Sequence, residues 1–152
     1  MPKLLIAVIM VTMVLGGCRG SDAPSDWTDA ACTSYNDVAN TGTHWKNVTD
    51  AIDQIDSARI ATELSAIDVL ARDAVDRIGN LTTKWDKGDA WLDDLGTVAA
   101  DYLAATRLFR DGTTTVDSSK IDQASSALSA AAKLLNSVTD RYQSLGLGCS
   151  RS

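Results

Sequence analysis

Residues 121–145, IDQASSALSAAAKLLNSVTDRYQSL, decide the fold. Ile121, Ala124, Leu128, Ala131, Leu135, Val138, Tyr142 and Leu145 recur at threes and fours. That spacing puts one apolar stripe on one face of a helix. Asp117 and Ser118 precede the run and can cap its start by accepting free backbone N–H groups. Gly146 followed by Leu147 fits a glycine stop with an apolar residue after it. The segment is a core-facing helix that needs partners to cover its stripe.

Working back along the chain, three more stripes appear. Trp91, Leu95, Val98, Tyr102, Ala105 and Phe109 form one, expected to start behind Asp89 as its cap and to stop at Gly112. Thr113, Thr114 and Thr115 then read as a β-prone loop. Ile60, Leu64, Ile67, Ala71, Ala74, Ile78, Leu81 and Trp85 form another, ended by Gly88. The earliest runs Trp27, Ala31, Tyr35, Val38, Gly42, Trp45, Val48, Ile52 and Ile55, with Ser25 as its cap. Its phase survives Gly42, so it reads as one helix with a weak point there. Ile55-Asp56-Ser57-Ala58-Arg59-Ile60 is similar to Val116-Asp117-Ser118-Ser119-Lys120-Ile121, and both read as helix starts. Four helices with short connections predict an all-α fold, an up-down-up-down four-helix bundle over residues 26–152.

The N-terminus has a different character. Lys3 gives a positive start, Leu4 to Leu15 is apolar apart from Thr12, and Gly16 and Gly17 lead to Cys18. Charge, apolar core and small residues in that order make residues 1–17 a secretory signal peptide. The run is shorter than the ~20 residues that span a bilayer. Leu15-Gly16-Gly17-Cys18 resembles the lipobox of bacterial lipoproteins. The resemblance implies cleavage before Cys18 and a covalent diacylglycerol or acyl lipid on it. It also implies anchoring on the extracytoplasmic side of the bacterial cell membrane. Residues 18–25 then form the lipidated cysteine and a tether broken by Pro24. The seven residues after Cys18 reach about 25 Å at most.

In that compartment thiols oxidise, and Cys32 and Cys149 remain as a pair. In an up-down-up-down bundle the first helix begins and the fourth ends at the same end. A Cys32–Cys149 disulfide and the topology therefore support each other. The same geometry gathers Trp27, Trp85, Trp91 and Tyr142 at that end. They read as an aromatic core layer, the competing reading being a face at the membrane interface. Trp45 is expected mid-bundle, level with Ala99 and Ala131.

The chain carries a net charge of −6, and Glu63 is its only glutamate. An acidic surface disfavours nucleic acid, whose phosphates need Lys and Arg. His44 is the only histidine, off the stripe, and reads as a surface residue. No catalytic triad is possible without it, and no metal-ligand spacing exists. Asp50, Asp53 and Asp56, and Asp86, Asp89, Asp93 and Asp94, read as helix-start acids and a solvated face. We expect no enzyme, no metal and no cofactor beyond the lipid. The expected function is non-catalytic binding of a protein partner at the cell surface. Its site would be the end away from the anchor, at the turn Asp56-Ser57 and the loop from Asp111 to Asp117, with Thr113, Thr114 and Thr115. The alternatives are a carrier of a small apolar ligand or lipid, and a phage- or prophage-encoded lipoprotein that excludes superinfecting phage.

Overall fold

The computed structural model describes residues 22–149. The expected signal peptide, Cys18 and the first part of the tether lie outside the described residues. Four helices follow in order, α1 (Ser25–Asp53), α2 (Ser57–Gly79), α3 (Asp89–Thr115) and α4 (Ser118–Ser144). They form a four-helix bundle in which α1 packs on α2, α2 on α3 and α3 on α4, with a lighter α1–α3 contact. No described helix is long and apolar enough to cross a membrane.

The stripes bury as their spacing requires. Val38, Ile67, Leu95, Val98, Ala131 and Val138 are fully enclosed in one continuous core. α1 is unbroken through Gly42. Added at Gly42, a Cβ would meet nothing beyond its own helix except the Tyr102 hydroxyl, at 3.6 Å.

Several boundaries differ from the sequence reading, each for a local reason. α1 starts one residue earlier, and Pro24, not Ser25, sits at its cap; the Pro24 carbonyl accepts from the Thr28 N–H. α1 also ends at Asp53, so Ile55 lies beyond it, outside the core. α2 ends at Gly79, and residues 80–88 are a connection rather than two more helical turns. Leu81 and Trp85 keep helical phase only by coincidence. The chain there folds across the base, and the Trp85 ring lies edge-on against Trp27, centroids 4.8 Å apart. Asp89 is the first residue of α3, not its cap, and its side chain accepts from the Trp27 indole and the Trp85 amide.

The largest difference is at the other end. Thr113, Thr114 and Thr115 are the last turn of α3, not a loop. Their hydroxyls donate back to the carbonyls of Phe109, Arg110 and Asp111. This intrahelical bonding satisfies the three hydroxyls within the helix, so they need no partner outside it. Gly112 does not stop the helix; it marks a close approach. A Cβ there would come within 2.8 Å of Ile121 Cγ1 and 3.1 Å of the Asp117 carbonyl.

Candidate functional site

The base of the bundle is an aromatic layer. Trp27, Trp91, Tyr35 and Tyr142 follow one another, with Tyr35 stacked on Tyr142 at 5.0 Å. Two of the indoles are satisfied inside the protein, Trp27 Nε1 by Asp89 and Trp91 Nε1 by the Val138 carbonyl. Trp27, Trp85 and Trp91 are buried, so these rings close the core and do not form a face. Cys32 and Cys149 meet here at disulfide-bonding distance, Cα atoms 5.1 Å apart, and the Cys149 N–H donates to the Tyr142 hydroxyl.

Polar clasps join the helices outside the core. Arg77 on α2 binds Asp37 at 2.8 Å and reaches Ser34, both on α1. Arg141 on α4 pairs with Asp94 on α3. His44 is not an ordinary surface histidine: its Nδ1 lies 2.5 Å from Glu63 Oε2 across the α1–α2 seam, and Asn47 donates to the same oxygen. The bond from His44 outweighs burial and, with that from Asn47, holds the Glu63 carboxyl below its usual range. The pair is half-buried and structural in geometry. Asp50 binds Lys46, and Asp56 caps α2 by accepting from the Arg59 amide. Among the described residues, no group of three or more His, Cys, Asp or Glu could hold a metal ion.

The distal end is built from two equivalent turns. The Ile55 amide bonds the Ile52 carbonyl and the Asp56 amide the Ala51 carbonyl, which closes α1. The Asp117 amide bonds the Gly112 carbonyl in the same way and closes α3. In each turn the next residue is an Asp whose side chain caps the following helix. The hydrogen-bond pattern therefore explains the six-residue similarity seen in the sequence. Such closures place one residue in the left-handed region, which glycine favours. At the base, after α4, that residue is Gly146, with φ +68°. At the distal end it is Ile55, φ +57°, and Val116, φ +54°. A β-branched side chain in that region is strained by about 1–3 kcal/mol.

Both strained side chains are 90% exposed, and Ile52 beside them is also exposed. The distal end thus holds apolar, β-branched residues in water, at backbone positions where glycine is the relaxed choice. Sequence reasoning missed both. Ile55 continues the helical spacing of α1, and Val116 follows three β-branched threonines that read as a loop. The available signal was an apolar residue directly before each Asp-Ser cap. Compared with protein-family models, curated proteins and solved structures, the chain matches none.

Proposed function

We propose that this chain is a bacterial lipoprotein, anchored through a lipid on Cys18, whose bundle binds a protein partner without catalysis. The reading for the anchor rests on the sequence of residues 1–18. The reading for binding rests on one observation: Ile55 and Val116 are strained and exposed together at one end. Strain of this kind tends to be kept where it serves a contact. The end opposite the tether is also the end a membrane-anchored domain offers outward, and loops on a rigid scaffold are where recognition residues gather. Asp56 and Asp117 cap helices and Asp50 and Asp94 pair with bases, which fits a binding scaffold better than a reaction centre.

Two measurements test the reading separately. Cells fed an azido fatty acid should label the protein, and Cys18→Ala should abolish the label; equal label on the variant would end the lipoprotein reading. A photo-crosslinking residue at position 116 should capture a single protein species from intact cells. The same group in place of Lys133, on the exposed flank of α4, should not. Equal capture at both positions would remove the distal end as the site.

A further inference from the structure

We infer that the bundle holds an internal site at Trp45 for a small, uncharged apolar molecule carrying one hydrogen-bond acceptor, such as a carbonyl oxygen. Trp45 is 3% exposed, and its Nε1 is the only fully buried side-chain nitrogen or oxygen among the described residues that has no hydrogen-bond partner. Trp27 and Trp91 find their acceptors within the chain. A buried donor without an acceptor costs as much as a lost hydrogen bond, and a phenylalanine would fill the same core without that cost. An acceptor from outside the chain accounts for the indole.

The surroundings suit such a guest. The Trp45 ring stands edge-on to Phe109 on α3, centroids 6.0 Å apart. One turn below it, α1 carries no side chain, because residue 42 is glycine, and the space there meets only the Tyr102 hydroxyl. Burial pushes the Tyr102 phenol up to about 12, so this layer presents a neutral O–H and no charge. On α4, Tyr35 is matched by Thr139 and Tyr142. Ten residues further up α1, at Trp45, the antiparallel partner is ten residues down, near 129–132, where Ala131 and Ala132 stand. The described bridges between α1 and the α4 end of the chain, Tyr35–Thr139, Tyr35–Tyr142 and Cys32–Cys149, all lie nearer the base. Ala131, at that level, is fully buried, as is the unpaired indole nitrogen of Trp45. Small residues would mean nothing alone; the orphan buried donor of Trp45 is what calls for a ligand.

The probe is cyclohexanone, with cyclohexane as a guest of similar shape that lacks the acceptor. In the isotope-labelled full chain, cyclohexanone should move the Trp45 indole N–H resonance downfield and slow its exchange, leaving those of Trp27 and Trp91 in place. Trp45→Phe should weaken cyclohexanone binding about fivefold to tenfold and leave cyclohexane within about twofold. A Trp45 resonance unmoved at saturating cyclohexanone would overturn the inference. So would a slowly exchanging internal water on Nε1 that the ketone does not displace. Equal loss of both guests in Trp45→Phe would also refute it, because the indole would then act by shape alone.

Discussion

Glu63 and His44 are each the only residue of their type in the chain, and the fold pairs them across the α1–α2 seam. A carboxyl whose pKa falls on folding stabilises the folded state above its unfolded value. That contribution disappears as the pH falls through the folded value. Glu63 is held below its ordinary 4.5, first by the His44 bond and then, against burial, by Asn47. Wild-type stability should therefore fall as the pH drops below about 4.5, and Glu63→Gln should show a shallower acid limb. Urea midpoints measured across that range check it; superimposable acid limbs would contradict the pairing. Trp45 marks the same scale from the apolar side. Its neighbour is Phe109, and Trp27 is matched to Trp91, eighteen residues earlier on both helices. α1 and α3 thus run in the same direction.

At the scale of the element, how far the sequence can be read depends on what holds each segment. The four stripes and the two Asp caps were legible, because burial and N-capping act through local spacing that a single chain displays. Residues 80–88 were not. Their apolar residues kept helical phase, while the decision to break was made by Trp85 packing edge-on against Trp27. The threonine turn was not legible either: β-branched residues read as a break, yet Thr113 to Thr115 continue α3 with their hydroxyls bonded to its own carbonyls. The strained tip was hidden because a left-handed residue has no signature when it is not glycine or asparagine. Two glycines separate these causes. Gly112→Ala should cost roughly 1–3 kcal/mol, since its Cβ would press on Ile121 and the Asp117 backbone. Gly79→Ala, with nothing within 4 Å, should stabilise α2 by about 0.5–1 kcal/mol. Thermal and denaturant unfolding distinguish them, and equal effects would contradict the close approach at Gly112.

Across the whole molecule, the base is tied and the tip is not. Cys32 and Cys149 are separated by 117 residues and meet beside the Tyr35–Tyr142 stack. Closing so long a loop restricts the unfolded chain by about 4–5 kcal/mol in the entropy model. Cys149→Ser should lower the unfolding free energy by up to that amount while leaving the helical circular dichroism at native temperature unchanged. An unchanged denaturation midpoint would show that the bond contributes nothing. The distal end has the opposite character, with two strained, exposed apolar residues and no covalent tie among the described contacts. A disulfide-tied base near the proposed tether and an unrelaxed tip at the opposite end fit the proposed binding scaffold.

The most direct test of that account is the double variant Ile55→Asn, Val116→Asn. Asparagine accepts the left-handed backbone and removes the exposed apolar surface. Two opposite changes are expected in one protein: unfolding free energy higher by about 1–3 kcal/mol, and loss of complementation in a strain deleted for the gene. A better-folded double variant that complements fully would contradict the distal end as the binding site.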